Sequence, residues 1–160
     1  KGSRQALETV LAAGPEVLNH NVETVRRLQK VIRPQADYRR SLDVLTHAAR
    51  WSGTNPPRVK SGLMLGLGER DDEIDETLRD LRGVGCRDLT IGQYLRPSPA
   101  HAPVARFVPP DEFERWKERA LSLGFEGVAS GPLVRSSYWA DRLFEEVGES
   151  RKGEQGNVGT

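Results

Sequence analysis

Cysteine and methionine each occur once in 160 residues, as Cys86 and Met64. A lone thiol forms no disulfide within the chain. It is also one ligand where a metal cluster needs three or four. Long apolar runs are missing, and no stretch approaches the ~18 residues of a membrane-spanning helix. An excess of either charge is missing too: the net charge of +1 gives no reason to expect nucleic acid or an anionic membrane as a partner. With 36% hydrophobic and 29% charged residues the chain is polar for a free-standing domain, a balance shared by pieces of larger barrels and by many small soluble proteins. Its length allows one sizeable core. The opening Lys1-Gly2-Ser3-Arg4-Gln5 carries no apolar signal core and runs straight into a helical pattern, so the chain is expected to begin in mid-protein.

What is present is an alternation of helices and strands. Ala6, Leu7, Val10 and Leu11 have helical spacing, ended by Gly14-Pro15. After a short apolar Val17-Leu18, the residues Val22, Val25, Leu28 and Ile32 predict a second helix, stopped by Pro34. Tyr38, Leu42, Leu45 and Ala49 predict a third, followed by a loop over 52–57. Val59 to Leu67 is the clearest strand, apolar enough for burial on both faces. Ile74, Leu78 and Leu81 mark a helix closed by Gly83 and Gly85. A strand from Leu89 to Leu95, a Pro-rich loop over 97–103, and a helix through Phe113, Trp116, Ala120 and Leu121 follow. Asp111 and Glu112 suit the positive end of that helix's dipole. A last strand runs from Phe125 to Ser130, a short helix starts near Tyr138, and the polar, Gly-rich residues 149–160 read as a disordered tail behind one domain over 1–148. The pattern predicts right-handed βαβ units and a parallel sheet with outer helices. About four strands cannot close an eight-stranded barrel, so an open sheet or part of a barrel is expected.

The segment Gly62 to Glu69 leaves a buried strand through Gly66 and Gly68 and enters a helix. Ligands of parallel α/β folds sit at this edge, and glycines there let a flat ligand approach the backbone. The helix opens with Glu69, Asp71, Asp72 and Glu73, which would repel a phosphate. A ligand with an adenine ring and a cationic sulfonium suits the segment better, and a tight turn with favourable helix N-terminal charge is the plainer reading. Asn21 and Glu23 read as polar ligand contacts or as a helix N-cap with its acid. Arg33 reads as a carboxylate-binding residue or a helix C-terminal cation. If residues 89–95 form a strand, Gln93 and Tyr94 point to opposite faces. Tyr94 also reads as a core residue with its hydroxyl satisfied. His47, within a helix, reads as structural, and His101, in the Pro-rich loop, as solvated. Cys86, between a helix and a strand, reads as a structural thiol. Ser136 and Ser137 before a helix read as N-caps, although no glutamate stands where a capping box needs one.

These segments, in this order, resemble the C-terminal part of lipoyl synthase, a family of the radical S-adenosylmethionine (SAM) superfamily. Gly62, Met64, Gly66 and Glu69 resemble the superfamily's Gly-x-Ile-x-Gly-x-x-Glu strand, with Met in place of Ile. The whole string from Lys60 to Glu69 looks like lipoyl synthase in particular. His20-Asn21-Val22-Glu23-Thr24 is similar to the family's His-Asn-Leu-Glu-Thr. The strings Arg33-Pro34-Gln35-Ala36-Asp37-Tyr38 and Thr90-Ile91-Gly92-Gln93-Tyr94-Leu95-Arg96-Pro97-Ser98 also match, as does Arg135-Ser136-Ser137-Tyr138-Trp139-Ala140. The likeness covers roughly residues 5 to 145.

The resemblance implies the C-terminal half of a partial, TIM-like (β/α) radical SAM barrel. It implies insertion of two sulfur atoms at C6 and C8 of a protein-bound octanoyl chain, giving the lipoyl cofactor. SAM contacts would come from Asn21, Glu23, Gly62, Met64, Gly66, Glu69 and Gln93. Ser137 would be the oxygen ligand of an auxiliary [4Fe–4S] cluster, with Arg135 in support. An oxygen donor is weaker than thiolate there, which suits a cluster that surrenders sulfur. The resemblance demands no general acid or base of this part. Two [4Fe–4S] clusters are implied whose cysteine ligands are not in this chain, so the fragment alone is expected to be inactive. The implied partners are an octanoylated lipoyl carrier protein or lipoyl domain and an electron donor such as a flavodoxin or ferredoxin. The implied location is the cytoplasm, or a mitochondrion or plastid in a eukaryote. The alternatives are another sulfur-inserting or methylating radical SAM enzyme and a non-catalytic α/β binding module.

Overall fold

In the computed structural model, residues 3–137 are described. The expected helix near Tyr138, the tail over 149–160 and the domain end at 148 lie outside them. Ser3 accepts the Ala6 N–H and starts α1 (Arg4–Ala12), which stops before Gly14 and Pro15. Then come β1 (Val17–Asn19), α2 (Gln29–Ile32), α3 (Tyr38–Ala49), β2 (Arg58–Leu65), α4 (Asp71–Gly83), β3 (Asp88–Gln93), α5 (Pro110–Ser122) and β4 (Gly127–Gly131). The starts of α3 and α5 follow from local chemistry. Asp37 accepts the Arg40 N–H at 2.9 Å, and Pro110 occupies the first position of α5, where no N–H is needed.

The four strands lie in chain order in one sheet and all run parallel, as the alternation predicts. Their register sorts side chains by face. Val59, Leu63 and Leu65 on β2 and Leu89 and Ile91 on β3 join Ile74, Leu78, Leu81, Phe113, Trp116 and Ala120 of α4 and α5 in the core. Fully burying each such side chain contributes roughly 1.5–3 kcal/mol. The alternate positions form the opposite face. Lys60, Gly62 and Met64 stand beside Asp88, Thr90 and Gly92, and these beside Gly127, Ala129 and Gly131. That face is small and polar.

At the N-terminal strand ends, Arg58 holds the buried Asp88 through two hydrogen bonds of 2.5 and 2.7 Å and Glu126 through one of 2.9 Å. Arg87 holds Glu126 from its other side at 2.8 Å. These pairs fix the starts of three strands and leave the C-terminal ends to do something else.

β3 ends at Gln93 and β4 starts at Gly127, each two residues inside the expected span, and two further departures bear on the site. No continuous helix runs from Val22 to Ile32. A 3-10 turn (Arg26–Leu28) and the single turn α2 stand there. Before them the Glu23 N–H donates to the Gly62 carbonyl and the Met64 N–H to the Glu23 carbonyl, so the chain continues the sheet. Glu23 takes φ +69°, outside the helical region. Asn21 and Glu23 are therefore not helix caps. The second departure is at β2, which ends at Leu65 rather than Leu67 because Gly66 turns the chain at φ +100°.

Candidate functional site

The turn after β2 is built by its own acid. The Glu69 carboxylate, buried, accepts the N–H groups of Gly66 and Leu67. The Gly66 carbonyl accepts the Ala105 N–H at 2.8 Å. Glu73 closes the start of α4 by accepting the Arg70 N–H at 2.9 Å. The N–H groups of Gly66, Leu67 and Arg70 are thus taken by carboxylates of the chain, whose charge would repel a phosphate. Glu69 shapes the turn from within, Gln93 and the Arg106 carbonyl fill the side of Gly66 where a Cβ would stand, and neither Gly66 nor Glu69 lines the cleft.

Beside this turn, Asn21, Glu23, Gly62, Met64, Thr90, Gly92, Gln93, Leu95, Arg135 and Ser136 line one cleft of about 200 Å³. It lies toward the C-terminal ends of the strands, where parallel folds place their ligands. Enclosed sites for drug-sized molecules start near ~300 Å³, so these residues form one wall of a site. The wall is packed most closely at Gly62, where a Cβ would stand 2.9 Å from both Asn21 Oδ1 and Thr90 Oγ1. Asn21 Nδ2 donates to Glu23 Oε1 at 3.4 Å. Asn21 Oδ1 is buried without a hydrogen-bond partner. A buried acceptor left unpaired costs about 1–3 kcal/mol, which a donor on a bound ligand would recover. The strained Glu23 backbone is what brings both side chains to this spot.

Gln93 lines the same cleft, but its amide serves the chain. Its Nε2 donates to the carbonyls of Tyr94 and Arg106, and its Oε1 accepts the Val108 N–H at 2.9 Å. The side chain braces the loop over 94–108 against the sheet. Tyr94 is buried, with its hydroxyl donating to the Ala102 carbonyl at 2.9 Å, as a core tyrosine should. Arg106 grips Glu112 and so ties the far end of the loop to α5.

The Arg-Ser-Ser segment reaches the cleft through Arg135 and Ser136. Ser137 is exposed and is not among the cleft residues. Arg33 and His20 belong to a different, wider cavity of about 550 Å³ with Pro34, Asp37 and Arg40. Burial, reinforced by the Arg33 charge, pulls the His20 pKa below its usual 6.5. Arg33 closes α2 and reaches back to the Asn21 carbonyl. Burial pushes the Cys86 thiol up to about 12, which suits an inert core residue. His47 rests near Trp51 and Glu8 within the helical layer. His101 sits at the exposed loop tip, Nδ1 2.8 Å from Ser98 Oγ. Among the described residues, no three His, Cys, Asp or Glu side chains group as a metal site, and no helix is long and apolar enough to cross a membrane.

Thr90, Gly92 and Leu95 escaped sequence reasoning as cleft residues. Period-two alternation could have put Thr90 and Gly92 on one face, but only the register with Gly62 and Met64 shows that it is the cleft face.

A parallel sheet with helices on its apolar face and a polar cleft at its strand exits is the α/β arrangement that places ligands at that edge. The comparisons narrow this class. No protein-family profile matches the chain. It is 55% identical to a lipoyl synthase of Thermus thermophilus over 92% of its length. It is 52% identical to one of Chlorobaculum parvum over 93%, and 51% identical to one of Rubrobacter xylanophilus over 99%. The match takes up 45%, 50% and 48% of those proteins, their C-terminal part. Over this shared span the chain belongs to the lipoyl synthase family, and it covers about half the length of the curated relatives it matches.

Proposed function

We propose that the protein to which this chain belongs is a radical SAM sulfurtransferase that inserts two sulfur atoms into a protein-bound octanoyl chain. In this reading the chain supplies the C-terminal wall of its barrel. The observation that carries it is the meeting of Asn21, Glu23, Gly62 and Met64 with Arg135 and Ser136 in a single cleft. These groups are far apart in sequence and belong to three separate family motifs.

The donor set fits SAM. The unpartnered Asn21 Oδ1 and the Glu23 carboxylate are acceptors suited to ribose hydroxyls or to an ammonium. Gly62 and Met64 line the cleft beside them, where a flat adenine would lie. The chain cannot hold a cluster alone, since Cys86 is its one cysteine, is buried and belongs to none of these motifs. It fits a cluster completed elsewhere, to which Ser137 would add an oxygen ligand and beside which Arg135 would place a cation. When bound, these groups supply the hydrogen-abstracting radical and the sulfur. The chain's residues orient SAM, exclude water from the apolar reverse face and present the serine. An octanoylated carrier protein or lipoyl domain as substrate, a flavodoxin or ferredoxin as electron donor, and a cytoplasmic location complete the proposal.

The test uses the full-length protein, reconstituted anaerobically, beside its Ser137→Ala variant. Both receive SAM, a reductant and an octanoyl-lysine peptide, with products read by mass spectrometry. Thiolated peptide from the parent and its loss in the variant are expected. SAM cleavage without thiolation by the parent would assign a different radical SAM reaction.

A further inference from the structure

We infer that Gly92 is the positioning residue for the Arg135–Ser137 segment, its missing side chain leaving the space in which that segment's backbone rests on the sheet. Gly92 pairs with Met64 on one side and Gly131 on the other, so it lies on the cleft face. Its φ is not positive, and the strand conformation alone would accept any residue. The need is for room. A Cβ at this position would overlap the carbonyl oxygen of Val134, lie 3.4 Å from its carbonyl carbon, and come within 4.0 Å of Arg135 Nη1.

That carbonyl has little freedom to withdraw. The Val134 N–H donates to the Gly131 carbonyl at 3.2 Å, closing a turn in which Pro132 fixes the second position. Arg135 Nη1 donates to the Val134 oxygen at 3.1 Å from the other side. The chain therefore leaves β4, reverses, and lays one peptide group flat against β3. Arg135 and Ser136 reach the cleft from that seat. Gly131 makes a contrast: a Cβ there would meet Val134 Cγ2 at 3.5 Å, an ordinary contact.

The inference rests on the proposed function in one respect, that the positioned segment carries the serine that ligates the cluster. A methyl group at 92 would displace the segment while leaving the sheet and the Asn21–Gly62 wall in place. Misplacing a reacting group by about 1 Å can cost a hundredfold.

The experiment compares full-length wild-type protein with Gly92→Ala and Gly131→Ala. Hydrogen–deuterium exchange is read over residues 131–137, with iron per chain, the spectroscopic signature of the auxiliary cluster, and thiolated product per 5′-deoxyadenosine. Gly92→Ala is expected to speed exchange in 131–137 while β2 and β3 stay protected. Its auxiliary-cluster signature should change, and product per 5′-deoxyadenosine should fall on the order of tenfold to a hundredfold. Gly131→Ala should match wild type. Unchanged exchange and product ratio in Gly92→Ala would overturn the inference, as would a loss of SAM cleavage equal to the loss of product. Should Gly92→Ala fail to fold, Pro132→Gly loosens the same turn without adding an atom to the sheet. It should reproduce the faster exchange and the lower ratio, and wild-type values for both would overturn the inference. A wild-type protein that makes no thiolated product refutes the proposed function, while the exchange comparison still decides whether Gly92 seats the segment.

Discussion

Arg27 and Glu73 form a two-pronged ion pair, Nε to Oε1 at 2.6 Å and Nη2 to Oε2 at 2.9 Å. The same Nη2 donates to the Gly68 carbonyl at 2.9 Å. One guanidinium thus joins the segment after Glu23 to the turn after β2, two stretches next to residues proposed to face SAM. A planar fork can reach three acceptors at once, which an ammonium on a flexible stem cannot hold in the same geometry.

Arg27→Lys keeps the charge and loses the fork. In the full-length protein the SAM dissociation constant is expected to rise roughly tenfold, a modest loss for a displaced wall, while the circular dichroism spectrum stays that of the parent. Titration calorimetry reads the difference. Wild-type affinity in the variant would mean that the Gly68 turn holds its shape without Arg27.

Acid should weaken the fold through the same pair. Hydrogen bonding to Arg27 is the largest cause that holds the Glu73 carboxyl at about 2, against 4.5 for a free glutamate. Arg119 lowers Asp75 in the same way, and Arg106 lowers Glu112. A carboxyl depressed on folding contributes its full stability above its unfolded pKa. The contribution is lost as the pH falls from about 4.5 toward about 2, because the unfolded chain takes up protons first. The thermal midpoint is expected to drop across that window, with a shallower slope in Glu73→Gln. Equal slopes would show that other carboxylates carry the effect.

Gln93 makes a prediction about charge. Its NH2 faces two carbonyl oxygens, those of Tyr94 and Arg106. In Gln93→Glu a carboxylate replaces that donor and leaves the buried carbonyls unpaired. The expected destabilisation is about 1–3 kcal/mol in urea unfolding, easing as acid protonates the new carboxyl. Stability equal to wild type at neutral pH would show that water replaces the brace.

Local signals accounted for most of the fold. Gly14-Pro15, Gly83 with Gly85, and Asp111 with Glu112 mark helix ends through chemistry that acts within a few residues, and each of these boundaries lies near its marker. Val22 and Val25 misled because both are buried, as a helix face would be, yet the Glu23 backbone pairs with β2 some forty positions later. No periodicity within the segment reports a partner that distant. The same limit applied to the site. Asn21, Glu23, Gly62 and Met64 were legible through their motifs, whereas Thr90 and Gly92 depend on register and Arg27 on a long-range ion pair. Glu69 and Gln93 were read as SAM contacts; Gln93 lines the cleft and Glu69 does not, and the bracing that both do shows only in their hydrogen bonds.

The two-faced sheet described above makes its chemistry vulnerable to a single inserted or deleted residue. Slipping β2 by one position would turn Leu63 and Leu65 toward the cleft and force Lys60, Gly62 and Met64 against α4 and α5. A greasy wall would then meet the ligand, and the helices would pack on an ammonium and a hole. Insertions of this kind are expected in the loop over 52–57 and not between Arg58 and Leu65, because one strand serves as both the dry seam of the core and the wet lining of the site.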